Sequence, residues 1–353
     1  MIRINNTEIG SDKPTYFIAD IAANHDKDLA RAKELIELAL IAGANAVKFQ
    51  HFQASTIVSD KGFKEIGNKI AHQSSWDKSV FEVYREAELP PEWTEELYLF
   101  SKNLGIDFFT APYSLELIEK VEPFIPAFKI GSGDITWIES IVKMASYGKP
   151  LLIATGASSM ADAKRAVEAA LKINPQIILM QCNTNYTGTN ENFNYLNLNV
   201  LKTYSQKFPG ITLGLSDHTP GHVSVIAAVA LGARVVEKHF TDDNNRAGPD
   251  HKFSMNPVTW KEMILATRQL EASLGNGVKV IEQNEKESVI VQQRALRYSK
   301  SLQKGHKVNR SDLDVLRPCP TNSMKPFEID TILDKVLNID VAFHQIVERE
   351  HFT

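Results

Sequence analysis

Residues 151–182 read LLIATGASSMADAKRAVEAALKINPQIILMQC, and this stretch contains two short apolar runs separated by an amphipathic segment. The runs LLIATG and IILMQC have the length of strands, whereas MADAKRAVEAALKI repeats its apolar residues at helical spacing. Strands that are apolar along their whole length are typical of parallel sheets covered by helices on their faces. The stretch therefore predicts one strand–helix–strand unit.

The same alternation continues on both sides of this unit. Apolar runs of strand length occur eight times: YFIAD (16–20), AVKFQ (46–50), FFTAP (108–112), AFKIGS (127–132), LLIATG (151–156), IILMQC (177–182), ITLGLSD (211–217) and VVEKHF (235–240). Helical patterns such as LARAKELIELALIAGA and HVSVIAAVALGA fill the gaps. Eight such units predict an α/β fold, a closed (β/α)8 TIM barrel over residues 1–274. The alternative is an open doubly wound sheet, which would favour a glycine-rich turn where this chain has ADIAANHD.

Three segments do not fit the regular alternation. Residues 51–92 form an insertion too long for an ordinary strand–helix loop, and we interpret it as a lid over the barrel mouth. Residues 275–293 are polar and charged, as expected of a linker. Residues 294–353 carry short β-like pieces and turn signals, which predict a small β-rich domain.

Composition excludes several classes of protein. The 353 residues include 39 Lys and Arg against 43 Asp and Glu, and a net charge of -4 gives no electrostatic reason to expect a nucleic-acid partner. Two cysteines rule out a disulfide framework and favour a reducing compartment. Because no apolar run has the length of a signal peptide or a membrane span, we expect a cytoplasmic protein with no membrane partner.

Polar side chains stand at the ends of the predicted strands, where TIM-barrel active sites lie. His218 and His239 are separated by about one strand–helix unit, so they should be neighbours on the rim. Two such imidazoles suit a divalent metal such as Mn2+, and the nearby carboxylates Asp217, Glu237 and Asp250 could orient the rings or join the shell. Hydrogen bonds from both rings to loop backbone are the alternative.

Lys48 and Lys129 lie in otherwise apolar strands, and a buried lysine usually has an anionic partner. The partner could be a structural carboxylate, or a small ligand polyanion that also receives hydrogen bonds from Thr110, Ser132 and nearby backbone amides. Asp20 and Asp134 are the carboxylates best placed for proton transfer beside that anion, although either could instead cap a helix.

Taken in order, the motifs resemble those of the sialic acid synthase family, which includes N-acetylneuraminate, legionaminate and pseudaminate synthases. The resemblance covers nearly the whole chain and rests on IADIAANHDKDLARAKELI, AGANAVKFQ, FFTAPYS, FKIGSGD, ATGASS, LGLSDHT, VVEKHFT and GPDHKFS. The tail, with RALRYSKSLQKGHKV and LRPCPTNSMKP, resembles the family's antifreeze-like (SAF) domain.

This resemblance implies a transferase of cell-surface carbohydrate biosynthesis. It would condense phosphoenolpyruvate with an acylamino sugar aldehyde to a nine-carbon 2-keto-3-deoxy acid and release phosphate. His218 and His239 would bind Mn2+, or Mg2+ or Co2+ in its place. The implied catalytic residues are Asp20, Asp134 and Asp250, and the implied substrate-binding residues are Lys48, Gln50, Thr110, Lys129, Ser132, Thr184, Tyr186, Ser216, Lys238 and Arg317. Because Arg317 lies in the antifreeze-like domain, which reaches the partner's barrel in the family, a domain-swapped homodimer is implied.

The chain also departs from the family pattern. Many members have glutamate at the positions of Asp20 and Asp134, and Ala154 replaces a usual serine. The two aspartates lie where the sugar is expected to bind, and Ala154 removes one possible phosphate donor. Because the lysines and histidines are intact, the differences bear on the identity of the sugar more than on the reaction type. Two other functions remain open at this stage: a different metal-dependent phosphoenolpyruvate-condensing synthase or aldolase, and a catalytically dead sugar-binding scaffold.

Overall fold

The computed structural model of the chain describes residues 2–66, 73 and 76–353. It divides into two compact units, Met1–Gly275 and Asn276–Thr353. Within the described residues, no helix is both long enough and apolar enough to cross a membrane.

A parallel sheet of eight strands forms the centre of the first unit. After a hairpin of β1 (Ile2–Ile4) and β2 (Thr7–Ile9), the strands are β3 (Tyr16–Asp20), β4 (Ala46–His51), β5 (Asp107–Pro112), β6 (Phe128–Ile130), β7 (Leu151–Ala154), β8 (Ile177–Cys182), β9 (Thr212–Asp217) and β10 (Ala233–His239). Their order is β5-β4-β3-β10-β9-β8-β7-β6, and β5 packs against β6. The sheet is therefore a nearly closed barrel, which confirms the predicted TIM-barrel fold and excludes the open sheet.

The helices of this unit cover the outer face of the barrel, except for the three short ones that the structure describes in the insertion at residues 51–92. They are α1 (Leu29–Ile41), α2 (Ala54–Ile57), α3 (Asp60–Glu65), α4 (Val80–Ala87), α5 (Thr94–Leu104), α6 (Leu115–Val121), α7 (Ile138–Ser146), α8 (Met160–Leu171), α9 (Val200–Lys207), α10 (Val223–Ala230) and α11 (Pro257–Leu274). Helix α8 illustrates why the apolar residues of these helices repeat at the predicted helical spacing. Its Ser159 and Asp162 form a reciprocal capping box, and Ala163, Ala166 and Val167 are buried against the barrel.

The described residues of the insertion at 51–92 include the short helices α2, α3 and α4. Residues 67–72 and 74–75 of the predicted lid lie outside the described residues. Helix α4 begins at a capping box in which Ser79 and Glu82 satisfy each other's backbone amides. This cap fixes the start of the helix and therefore the direction in which its side chains point.

The second unit has its own apolar core, built around Leu296, Tyr298, Val308 and Val347. It contains the short helix α12 (Lys286–Gln292) and an antiparallel pair, β11 (Ala295–Tyr298) with β12 (Leu313–Leu316). The helix falls within the segment that we predicted to be a linker. The assignment of the second unit as an antifreeze-like domain stays a prediction.

Candidate active site

An ionic cluster occupies the interior of the barrel near the carboxyl ends of its strands. Lys48 Nζ donates to Asp20 Oδ2 at 2.6 Å, and Lys129 Nζ donates to Glu237 Oε1 at 3.1 Å. All four side chains are buried. Each lysine thus has a buried carboxylate partner. A structural carboxylate was one of the two kinds of partner that the sequence left open, beside a ligand polyanion. Burial opposes the charge of Lys48, but Asp20 and Glu237 outweigh it and raise the pKa of this ammonium group.

The two predicted metal ligands are neighbours beside this cluster. The ring centroids of His218 and His239 are 5.3 Å apart. His218 Nδ1 donates to the carbonyl of Asn183 at 3.0 Å. Burial opposes the charged form of this ring, but Cys182 and the Asn183 carbonyl outweigh it and raise the pKa of His218. His239 Nε2 lies 3.6 Å from Asp20 Oδ2, and its buried Nδ1 has no hydrogen-bond partner within the described part of the chain.

The donor set of this histidine pair fits a divalent metal held by two protein nitrogens. Burial and the nearby His218 lower the pKa of His239 well below its usual value, so its ring is in the neutral form that binds metals. No cluster of three or more His, Cys, Asp or Glu suited to a metal is found among residues 2–66, 73 and 76–353. The remaining ligands of such a metal would therefore come from substrate or water.

A small polar cradle lies where β6, β7 and β8 end. The amide of Gly156 donates to Ser132 Oγ at 3.1 Å. A Cβ atom at position 156 would lie 1.8 Å from Thr184 Oγ1, so only glycine allows this close approach. The cradle brings together Ser132, Thr184 and a backbone amide of the ATGASS motif. Beside it, Ser216 Oγ donates to Glu237 Oε1 at 3.3 Å.

Above the cluster is a cavity of about 510 Å³, and several predicted site residues line it. These are Gln50, Ser132, Asp134, Thr184, Tyr186, His239 and Asp250. Burial raises the pKa of Asp134 to about 6. It also raises the pKa of Asp250 to about 6, although the amide of Ala23 donates to this carboxylate. Neither Asp20 nor Asp134 caps a helix, the alternative considered from the sequence, because Asp28 and Trp137 hold the N-terminal caps of α1 and α7.

Two predicted substrate-binding residues of the barrel, Thr110 and Lys238, point away from both the ionic cluster and this cavity. Thr110 Oγ1 contacts the buried ring of His51 on the outer face of the barrel. Lys238 Nζ donates to Asp217 and to the carbonyl of Thr219, also on the outer face. The cause is the alternation of side chains along a strand, which turns positions 110 and 238 toward the helices. Arg317 lies exposed in the second unit, where its Nε donates to the carbonyl of Gln292.

The sequence alone did not identify several side chains of the site. Glu237 was considered only as a partner of the histidine rings, whereas it binds Lys129. Tyr84 and Trp76 line the cavity from the insertion, and Tyr113 joins them from the segment after β5. Tyr113 belongs to the FFTAPYS motif, and Tyr84 belongs to the amphipathic segment VFEVYREAEL. Neither stretch of sequence indicates that its tyrosine would face the cavity.

The raised pKa of Asp134 predicts a pH-dependent cost to folding. Between about pH 4 and pH 6 the folded chain holds a proton that the unfolded chain releases, so stability falls as the pH rises through this range. We expect Asp134→Asn to increase the free energy of unfolding at pH 8 by about 1–2 kcal/mol, and not at pH 4. Denaturant unfolding of both proteins at pH 8 and at pH 4 measures this difference in the free energy of unfolding. The exposed Glu37→Gln should show no such difference, and an equal gain at both values would contradict the prediction.

Comparison with known proteins agrees with this arrangement. The model of the NeuB family matches residues 35–279. The chain belongs to the NeuB family. It is 33% identical to the N,N'-diacetyllegionaminic acid synthase of Campylobacter jejuni, over 92% of this chain and 96% of that protein. It is also 33% identical to the human N-acetylneuraminate-9-phosphate synthase, over 77% and 74% of the two chains.

A solved sialic acid synthetase has a similar fold. The N-acetylneuraminic acid synthetase of Leptospira borgpetersenii, crystallised with citrate, superposes with a TM-score of 0.70 at 28% identity. The match covers 82% of this chain and 94% of that structure. The predicted membership of the sialic acid synthase family is therefore confirmed.

Proposed function

We propose that this protein is a nonulosonic acid synthase that condenses phosphoenolpyruvate with the open-chain aldehyde of an acylamino sugar. The observation that carries the proposal is the convergence of two lysines and two histidines on one end of the barrel interior. The lysines suit a polyanion, and the histidines suit a metal beside it. The names of NeuB relatives from Campylobacter and human support this class of product.

The reaction forms one carbon–carbon bond and breaks one carbon–oxygen bond. The methylene carbon of phosphoenolpyruvate attacks the aldehyde carbon, and water adds to the central carbon. The tetrahedral intermediate then collapses to a ketone and expels phosphate with the bridging oxygen. The product therefore contains the sugar and one pyruvate unit, and no oxidant or reductant is needed.

We assign the anion to the side of the site that holds Lys48, Lys129, Ser132 and Thr184. Charged lysines and oriented amide or hydroxyl donors stabilise phosphate and carboxylate groups in a buried site. Asp20 accepts hydrogen bonds from Lys48 and from Gln50 at 3.2 Å and lies beside His239, so it can hold a water molecule or a proton there. Asp134 and Asp250, with pKa values of about 6, can exchange protons with sugar hydroxyls near neutral pH.

We also propose that His218 and His239 hold a divalent cation, Mn2+ or Mg2+ or Co2+. When bound, such an ion polarises the sugar aldehyde as a Lewis acid. The rings themselves are held for this role by the hydrogen bond from His218 to Asn183 and by the packing of Phe253, whose centroid is 4.9 Å from that of His239.

Phosphate release tests the synthase proposal directly. The purified chain is incubated with phosphoenolpyruvate, Mn2+ and an acylamino hexose, and the product mass is read from the same reaction. We expect stoichiometric phosphate and a product heavier than the sugar by one pyruvate unit. Absence of phosphate release from phosphoenolpyruvate with every aldose, together with failure to bind Mn2+ or phosphoenolpyruvate, would favour the scaffold alternative. Condensation of the same aldose with pyruvate supplied in place of phosphoenolpyruvate would favour an aldolase.

A homodimer in which Arg317 completes the partner's site is the last part of the proposal, and it rests on the resemblance of the tail. We expect Arg317→Ala and Lys48→Met to be nearly inactive alone. Mixed by unfolding and refolding, they should recover roughly a quarter of wild-type activity, because half of the dimers are mixed and each has one intact site. No recovery in mixed dimers detected by mass spectrometry would contradict the swapped arrangement.

A further inference from the structure

Two loops meet beside the cavity, at the carboxyl ends of β3 and β10. We call residues 21–28 the β3 loop and residues 240–256 the β10 loop, and the second carries Asp250 into the cavity lining. The amide of Ala23 in the β3 loop donates to Asp250 Oδ2 at 3.2 Å. The position of this carboxylate therefore depends on how firmly the two loops are held together.

A buried histidine joins the two loops directly next to Asp250. The side chain of His251 is fully buried, and its Nδ1 lies 2.8 Å from Thr241 Oγ1 within the β10 loop. Its Nε2 lies 2.9 Å from Asp26 Oδ1 in the β3 loop. Burial alone would raise the pKa of Asp26, but hydrogen bonds from His251 and Arg246 outweigh it and lower this pKa. Asp26 is therefore a carboxylate, which only accepts hydrogen bonds, and His251 Nε2 donates to it.

Two arginines fix the carboxylate of Asp26. Arg246 of the β10 loop donates to Asp26 Oδ2 from Nε at 2.9 Å and from Nη2 at 2.7 Å. The Nε atom of Arg31, a buried residue of α1, lies 3.1 Å from the same oxygen, and its two terminal nitrogens donate to Asp242 of the β10 loop. Such charge-assisted pairs are short and directional. Asp26 is thus held in one orientation, and it orients the imidazole of His251 in turn.

The backbone of the β3 loop has an unfavourable conformation. Ala22, Asp26 and Lys27 have φ angles of 46°, 50° and 58°, in the left-handed region that residues with a Cβ atom seldom adopt. Such a conformation costs free energy, persists only where surrounding contacts determine it, and is concentrated at functional sites. The contacts with the β10 loop are made by Ala23 and Asp26, so they act where this strain is located.

The β10 loop is packed tightly around the histidine ring and the backbone of Asp250. A Cβ atom at position 248 would lie 2.7 Å from Cδ2 of His251. Ser254 Oγ donates to the carbonyl of Asp250 at 2.7 Å, and Asn24 Nδ2 of the β3 loop donates to Ser254 Oγ at 2.9 Å. Because His251 and Asp250 are consecutive, a displaced ring at 251 would shift the carboxylate at 250.

Resting on the proposed synthase function, we propose that His251 and Asp26 are positioning residues that hold the Asp250 carboxylate against the sugar hydroxyls. Neither of the two lines the cavity, so neither contacts the substrate itself. Their loss should affect the sugar more than phosphoenolpyruvate, because phosphoenolpyruvate is assigned to Lys48 and Lys129 in the ionic cluster.

His251→Asn and His251→Gln form a matched pair that tests this role. An asparagine amide reaches the position of Nδ1 near Thr241 but not Asp26, whereas a glutamine amide reaches the position of Nε2 and still donates to Asp26. We expect His251→Asn to lower kcat/KM for the acylamino sugar roughly ten- to a hundredfold, the range that a displaced group of the site gives. The KM for phosphoenolpyruvate should stay near its wild-type value, and His251→Gln should keep most of the activity. A uniform loss of kcat with both KM values unchanged would indicate a merely structural residue and overturn the inference.

A double-mutant cycle tests whether His251 acts through Asp250. In an Asp250→Asn background, His251→Asn should have little further effect on kcat/KM for the sugar, because the carboxylate that it positions is already absent. A loss as large as in the wild-type background would contradict the proposal. His51→Asn is the control, since it also removes a buried ring with both nitrogens bonded, and it should leave kcat/KM for the sugar near wild type.

Hydrogen exchange of the Ala23 amide measures the same coupling without turnover. Because this amide donates to Asp250, we expect His251→Asn to speed its exchange roughly fivefold or more and His251→Gln to leave it nearly unchanged. Unchanged protection in His251→Asn would overturn the inference and leave the synthase function intact. Absence of phosphate release by the wild type with every aldose would reject the synthase function, and the exchange rates would still decide whether His251 holds Asp250.

Discussion

Lys48→Met is expected to lower kcat/KM for phosphoenolpyruvate by roughly a hundred- to a thousandfold, the loss seen when one preorganised charge-stabilising donor is removed. The variant removes an ammonium that lies 2.6 Å from Asp20 and 3.9 Å from Glu237. Two buried carboxylates would then face the incoming anion with only Lys129 to offset them. Phosphate-release kinetics across a range of phosphoenolpyruvate concentrations measure the effect.

Lys238→Met is the matched control, because it removes an equally buried ammonium from the same barrel. Lys238 pairs with Asp217 on the outer face and lies outside the cavity. Breaking either buried pair should cost about 3–5 kcal/mol of folding stability. At a temperature where circular dichroism shows both variants folded, only Lys48→Met should be inactive. An equal loss in Lys238→Met would contradict the outward placement and favour the substrate contact suggested by the family resemblance.

The barrel could be predicted from the sequence because its strands are covered on both faces. Such strands are apolar along their length, and runs like IILMQC therefore stand out between amphipathic helices. The predicted bounds differ most at β10, observed at Ala233–His239 where 235–240 was predicted, and at β6, which spans only Phe128–Ile130 within the predicted 127–132. The difference at β6 affects the site. The chain turns there into a single helical turn at Ser132–Asp134, which brings Ser132 and Asp134 to the cavity.

Because these strands are apolar on both faces, the site could be predicted only in part. A half-buried strand shows its inward positions by alternation, but a strand that is apolar on both faces does not. Thr110 and Lys238 were therefore grouped with the site although both side chains point outward. His218 and His239 were placed correctly as neighbours because successive strands in a barrel end side by side. The part of the cavity that Tyr84 lines depends on how the insertion folds back, which local patterns do not determine.

Replacement of either histidine should remove the proposed metal. We expect His218→Asn and His239→Asn each to reduce tightly bound Mn2+ from about one per chain to near zero, because only two protein nitrogens are available and one alone holds the ion weakly. Activity should fall at least roughly a thousandfold, since the Lewis acid is lost together with its ligand. Elemental analysis after dialysis and phosphate release on the same sample measure both effects.

His51→Asn provides the control for removing a buried imidazole. His51 is also buried, but its ring nitrogens contact Thr110 and Thr94 at 2.6 and 2.7 Å on the outer face of the barrel. Loss of these hydrogen bonds should lower stability by about 1–3 kcal/mol and leave metal content and kcat near wild type. If His239→Asn kept its metal while losing activity, the ring would act on the substrate directly. Because Nδ1 of His239 is buried without a partner in the described structure, we expect the metal and the activity to be lost together.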